Sequence, residues 1–156
     1  MIKLTRIDDR LVHGQVAFTW VSSLGIDCLV VANDKVAKDD FQKMAMGLAK
    51  PPSAKLFILT LADSMTFLND LKNKNAKILL LVNCVDDAFT LSNGVPDIKS
   101  INFGGIRIKD GARMISKAVA VSDADKIIIR QMLENGLELE IRQVPTDRKQ
   151  FVQNLI

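Results

Sequence analysis

The run Ile78-Leu79-Leu80-Leu81-Val82-Asn83 carries five consecutive aliphatic residues and no polar side chain until its end. A strand half-exposed to water alternates apolar and polar positions; one that is apolar throughout belongs in a sheet covered on both faces. Cys28-Leu29-Val30-Val31-Ala32 reads the same way, and Ile2–Ile7 and Lys55–Thr60 are further strand-length apolar runs. Segments of helical period lie between and after them. Gly14–Leu24 places Val16, Trp20, Val21 and Leu24 on one face. Asp34 is the expected cap of a helix to about Lys50, with Phe41, Met44, Ala45 and Leu48 inward, ended by Pro51-Pro52. Ala62–Lys72 and Val85–Asn93 read as two more helices. Four consecutive strand–helix units imply parallel strands joined by crossover helices.

The remainder extends this pattern. Ser100–Phe103 and Ala118–Val121 read as short strands, and Ser122 caps a helix that runs through Leu133 and stops at Asn135-Gly136. Leu137–Val144 alternates as a half-buried strand, and Arg148–Leu155 reads as a closing helix. The expected fold is α/β: an open, mostly parallel sheet with helices on both faces and an antiparallel strand near the C-terminal end. Residues 1–156 form one domain.

Composition narrows the function classes. With 156 residues, 48% hydrophobic and 25% charged, the chain can bury a substantial core and does not read as disordered. The net charge of +3 is dispersed among mixed signs, so no concentrated basic face for nucleic acid is evident. Cys28 and Cys84 lie far apart in apolar runs and read as reduced core thiols. A single histidine and the lack of a CxxC pair leave no metal cluster to assemble. Met1–Arg6 carries charges where a secretory signal needs an apolar stretch, and no run approaches the roughly 20 apolar residues of a membrane span. Work at a membrane would require a partner.

Open parallel sheets bind ligands at the carboxyl ends of their strands. Here those ends are Asp8–Gly14, Asn33-Asp34, Thr60–Asp63, Asn83–Asp87 and Phe103–Gly105. The first holds two aspartates, Arg10 and the only histidine, His13, with Arg6 just before it in the strand. Neutral imidazole attacks phosphorus to form a phosphoramidate. Arg10 offers a planar fork for phosphate oxygens, and helix amides from Gly14 onward add partial positive charge. A lone histidine near a helix start is most often a packing or surface residue, and loop Arg/Asp pairs are usually solvated. Their joint placement at a ligand-binding edge points to an anion or phosphoryl site near His13. Asp9 is expected to orient it rather than Asp8, because neighbouring side chains at a strand end diverge.

Beyond this physical reading, Arg6-Ile7-Asp8-Asp9-Arg10-Leu11-Val12-His13-Gly14-Gln15-Val16 resembles the signature around the phosphorylated histidine of the mannose/fructose/sorbose IIB family. That family belongs to the phosphoenolpyruvate-dependent sugar phosphotransferase system. The similarity extends to Ala32-Asn33-Asp34, to Asn102-Phe103-Gly104-Gly105 and to the order of elements along the whole chain; Val12 alone departs, aliphatic for aliphatic. The resemblance implies that His13 accepts phosphate through Nδ1 from a phosphohistidine on a IIA protein. It further implies transfer to a sugar held by the membrane subunits IIC and IID. Arg10 would stand beside His13. The candidate phosphate-binding or orienting residues are Asp9, Arg6, Gly14, Gln15, Asn33, Asp34, Gly104 and Gly105. Neither cofactor nor metal is implied, the location is cytoplasmic and peripheral to the membrane through IIC/IID, and a homo-oligomer is compatible. Arg6, Arg10 and Arg107 are candidates for steering an acidic partner surface.

Two other readings fit less well. Histidine phosphatases carry Arg-His-Gly and need a second histidine, whereas Val12 precedes His13 here and no second histidine exists. A non-catalytic nucleotide- or anion-binding module would have to act without GxGxxG after the first strand and without GxxxxGK[ST].

Overall fold

In the computed structural model, which describes residues 1–156, the alternating runs become alternating elements. Strands β1 (Ile2–Asp8), β2 (Cys28–Ala32), β3 (Lys55–Leu59) and β4 (Ile78–Val82) are followed in turn by helices α1 (Gly14–Leu24), α2 (Asp40–Ala49), α3 (Leu61–Asn69) and α4 (Val85–Gly94). Then come β5 (Ser100–Gly105), β6 (Ala112–Met114), β7 (Ala120–Ser122), α5 (Asp123–Glu134), β8 (Glu138–Ile141) and β9 (Gln150–Phe151). The main sheet has the order β3-β2-β4-β1-β5-β8-β9. Every pair in it is parallel except the antiparallel β8–β9. The expected α/β architecture is therefore present, and β1 is the central strand.

Alternation along each strand divides the core between the two faces. Leu4, Leu29, Val31, Leu79 and Leu81 pack beneath α1 and α2 with Trp20, Val21 and Met46. Ile7, Val30, Leu80, Val82 and Phe103 pack on the other side with Leu91, Ile129 and Met132 from α4 and α5. Each such side chain, fully buried, contributes about 1.5–3 kcal/mol. At α5 the expected cap is a full capping box: Ser122 Oγ accepts from Asp125 N, and the Asp125 carboxylate accepts from Ser122 N, both at 3.0 Å.

Four sequence expectations need correction. The helix expected from Asp34 is a short 3₁₀ turn, Val36–Lys38, followed by α2 with Asp39 as its cap. The face of α2 is inverted: Phe41, Met44, Ala45 and Leu48 are exposed, and Met46 packs inward. Helical period groups residues onto one face but does not say which face turns inward. Lys50, at the C-terminal end of α2, donates its ammonium to the Ala54 carbonyl at 2.9 Å.

At the C-terminus the expected helix Arg148–Leu155 is instead strand β9 and a 3₁₀ turn, Val152–Asn154, with Val152 the buried residue of that turn. β9 covers the edge of β8, which would otherwise present unpaired backbone groups. β8 itself stops at Ile141 and is shorter than the expected Leu137–Val144; it buries Leu139, Glu140 and Ile141 consecutively. The small β6–β7 hairpin lies apart from the main sheet, and its first strand has no counterpart in the sequence reading.

Candidate functional site

The first loop is built from both ends. β1 continues one residue further than the apolar run suggests, so alternation places Leu4, Arg6 and Asp8 on the α1 face while Ile7 points to the opposite core. Beyond Asp8 the chain turns sharply. Asp8 Oδ1 accepts from Arg10 N at 3.1 Å and the Asp8 carbonyl accepts from Leu11 N at 2.9 Å. Leu11 adopts φ 57°, a left-handed conformation that costs a non-glycine residue roughly 1–2 kcal/mol. Burial of the Leu11 and Val12 side chains opposes that cost and pins the loop to the α1-side core. Arg10 is left exposed and His13 partly so, with 19% of its side chain accessible.

His13 Nε2 lies 2.9 Å from Asp8 Oδ2. A carboxylate only accepts, so the neutral imidazole carries its proton on Nε2 and leaves the Nδ1 lone pair free. Asp8 is 3% exposed and is itself held by Arg6, whose Nη2 lies 3.2 Å from the same Oδ2. His13 is also the residue preceding α1, with extended backbone and no side-chain capping bond. The first amides of α1 are therefore not taken up by a side chain, and Gly14 enters the helix with φ 40°.

Asp9 does not face His13, contrary to the sequence expectation. Its Oδ2 accepts from Arg107 N at 2.8 Å and Arg107 Nε at 3.0 Å, tying the first loop to the segment after β5. The reason is the strand end: with β1 running through Asp8, it is Asp8 that shares a face with Arg6, and Asp9 diverges. Gly104 lies directly against Arg6, for a Cβ there would overlap the guanidinium. A Cβ at Gly105 would sit at an ordinary 3.7 Å from Asp8 Oδ1.

Arg6, Asp8, Asp9, Arg10, His13, Gly104, Gly105 and Arg107 line one cleft of about 410 Å³ at the carboxyl ends of β1 and β5, closed on one side by Gln143 and Val144. Asn33 and Asp34 are not brought there. Asn33 Oδ1 accepts from Val36 N and Asp34 Oδ1 from Leu61 N, both at 2.9 Å, so they shape turns around a separate depression. Gln15 is exposed at the start of α1, and its carbonyl accepts from Thr19 Oγ1 at 2.7 Å.

Sequence reading overlooked the layer beneath. Arg6 Nη1 donates to Asn102 Oδ1 at 2.7 Å and to the Arg142 carbonyl at 3.0 Å, and Asn102 Nδ2 donates to Glu140 Oε1 at 3.1 Å. Glu140 holds Arg142 through Nε at 3.0 Å and Nη2 at 2.9 Å. The guanidinium carbons of Arg6 and Arg142 lie 5.5 and 5.1 Å from the Trp20 ring centroid. Burial lowers the Arg6 pKa from its ordinary value, and the adjacent Asp8 opposes that shift. Glu140 gave no signal of its own, for it takes a polar position of the alternating run Leu137–Val144, as Glu138 does. Both cysteines are free thiols whose pKa burial pushes up to about 11, which leaves them protonated near neutral pH. No three His, Cys, Asp or Glu side chains are grouped to hold a metal ion.

Comparison with known proteins agrees with this fold. The family described as "PTS system sorbose subfamily IIB component" matches residues 2–156. The chain belongs to that family of phosphotransferase-system components. It is 33% identical over its whole length to the mannose-specific EIIAB component of Escherichia coli (strain K12), and spans 48% of that relative, about half its length. It is 33% identical to the sorbose-specific EIIB component of Lacticaseibacillus casei, covering 94% of this chain and 90% of the relative. Among solved structures, the IIBSor domain of the sorbose permease from Klebsiella pneumoniae superposes with a TM-score of 0.94 at 26% identity, covering 99% of this chain and 94% of that one. The N-acetylgalactosamine-specific IIB component 1 from Escherichia coli gives 0.87 at 34% identity, covering 96% and 98%. No helix is long and apolar enough to cross a membrane.

Proposed function

We propose that this chain is the phosphocarrier of its transport system, with His13 Nδ1 as the atom that carries the phosphoryl group. The observation that supports it most is the 2.9 Å contact between His13 Nε2 and Asp8, which leaves Nδ1 as the nucleophilic nitrogen beside the cleft. In the accepting step the Nδ1–phosphorus bond forms as the bond from phosphorus to the donor IIA imidazole breaks, and the donor ring recovers its lone pair. In the second step a sugar hydroxyl held by the IIC/IID subunits attacks phosphorus, gives up its proton to solvent water and displaces Nδ1. His13 returns neutral with its proton still on Nε2.

The surroundings suit this cycle. Asp8 stabilises the positive charge that the imidazole ring develops as Nδ1 bonds to phosphorus, without itself approaching the phosphoryl oxygens. Arg10, exposed and without a side-chain partner among the hydrogen bonds of the loop, is placed to meet those oxygens together with the first amides of α1. Arg10 and Arg107 at the cleft mouth would steer an acidic partner, making association sensitive to salt. The proteins to dock are a IIA donor and the membrane subunits, at a cytoplasmic location peripheral to the membrane. The test is a chase. Chain phosphorylated through IIA and then mixed with membranes holding IIC/IID and the cognate sugar should lose its label to sugar phosphate; label that stays on the chain or leaves only as inorganic phosphate contradicts the reading.

A further inference from the structure

We infer that Glu140, on β8, is a positioning residue for His13, acting through the buried polar row that links three neighbouring strands. The inference rests on the proposed role of His13. In register, Arg6 on β1 is paired with Asn102 on β5, and Asn102 with Glu140 on β8. All three are at most 2% exposed. An ionic row so deep is expensive to desolvate, and apolar side chains there would hold the sheet at least as well. The row ends on the chain's only histidine.

Glu140 is the buried acceptor at the far end of the row and a counter-charge to its guanidiniums. An amide side chain can present either its oxygen or its NH₂ to a neighbour, and Asn102 alone does not decide which. Glu140 and the Arg142 carbonyl only accept and Arg6 only donates, so Asn102 turns Nδ2 toward the first two and Oδ1 toward Arg6. Arg6 then has an acceptor at Nη1, and its Nη2 is directed to Asp8. Asp8 Oδ2 in turn takes the Nε2 proton of His13. Asp8 selects the His13 tautomer, and Glu140 holds from behind the row that positions Asp8. Glu140 also grips Arg142, whose carbonyl accepts from Arg6 and from Asn102 Nδ2, and the next residues, Gln143 and Val144, wall the cleft. The charges of Arg6, Asp8, Glu140 and Arg142 balance. With Glu140 neutralised, Asp8 is the one carboxylate left to Arg6, which draws it from His13.

The experiment is Glu140→Gln, which keeps the shape, read in two ways. Long-range proton–nitrogen NMR of the sole histidine, in unphosphorylated protein, reports the tautomer without any phosphodonor. Wild type should be predominantly Nε2-protonated, and Glu140→Gln should shift measurably toward the Nδ1-protonated form. Phosphotransfer from IIA should fall about 10–100-fold in kcat, the range for groups that orient a reacting ligand from behind. KM for IIA should stay within about twofold, since Glu140 is buried away from any docking surface. Glu140→Asp retains an acceptor-only group and should restore much of both signals; it also serves if the Gln variant does not fold. Leu139→Val, in the core on the same strand, should lower stability without moving the tautomer. The inference is overturned if Glu140→Gln leaves tautomer and rate at wild-type values, or if Leu139→Val shifts the tautomer equally. If Glu140→Gln shifts the tautomer but wild-type chain accepts no phosphate from IIA, it is the proposed function that fails.

Discussion

Asp8 holds His13 by one ring nitrogen and leaves the other free: Nε2 is 2.9 Å from Oδ2, while Oδ1 of the same carboxylate fixes the Arg10 amide at 3.1 Å. One buried side chain thus sets both the tautomer of His13 and the turn that presents Arg10.

Asp8→Asn should therefore slow phosphoryl acceptance about 10–100-fold, as loss of a group orienting a reacting imidazole does. Asp9→Asn weakens only the tie to Arg107 and should cost less than about threefold. Rapid-quench transfer from phosphorylated IIA measures both. An Asp9 effect equal to that of Asp8 would contradict the assignment.

Arg10 is exposed and makes no ion pair that its loss would orphan, so Arg10→Ala should leave thermal stability unchanged. Transfer should nonetheless fall about 10²–10³-fold, the usual consequence of removing one donor from a transition-state oxygen. Arg10→Lys should lie between, keeping charge but losing the planar fork. If Arg10→Ala transferred at the wild-type rate, the helix amides or Arg107 would carry this role.

How much of this was legible beforehand varies along the chain. Ile78–Val82 and Cys28–Ala32 announce buried parallel strands because nothing in them is polar, and the observed sheet has them adjacent. His13 stood out as the only histidine at a strand end. The Asp8/Asp9 exchange was hidden because it turns on a single residue: a polar strand terminus gives no hydrophobic signal, yet the period of two inverts every orientation beyond it. The row from Arg6 through Asn102 to Glu140 was missed because its members are 96 and 38 residues apart in sequence, and only strand order brings them together.

Gly104 and Gly105, adjacent and alike in sequence, should respond differently. Gly104→Ala drives a methyl group into the Arg6 guanidinium and should destabilise by about 1–3 kcal/mol, as overpacking does. Gly105→Ala meets only ordinary contacts and should cost well under that. Urea unfolding of the two variants provides the comparison; equal losses would mean that Arg6 can yield.

The inverted face of α2 gives a second stability contrast. Phe41→Ser and Leu48→Ser remove side chains that are 80% and 84% exposed and should change stability by no more than about 0.5 kcal/mol each. Met46→Ala, 7% exposed in the α1-side core, should cost about 2–5 kcal/mol. The opposite ranking would restore the inward face expected from the sequence.

The central claim is that His13 carries phosphate on Nδ1 while Nε2 remains bonded to Asp8. Nitrogen-15-labelled chain, phosphorylated through its IIA donor and observed by phosphorus–nitrogen NMR, tests it directly. The account predicts one phosphorus signal, coupled to His13 Nδ1, acid-labile, stable to alkali and absent from His13→Ala. A signal coupled to Nε2, or one that survives in His13→Ala, would contradict it.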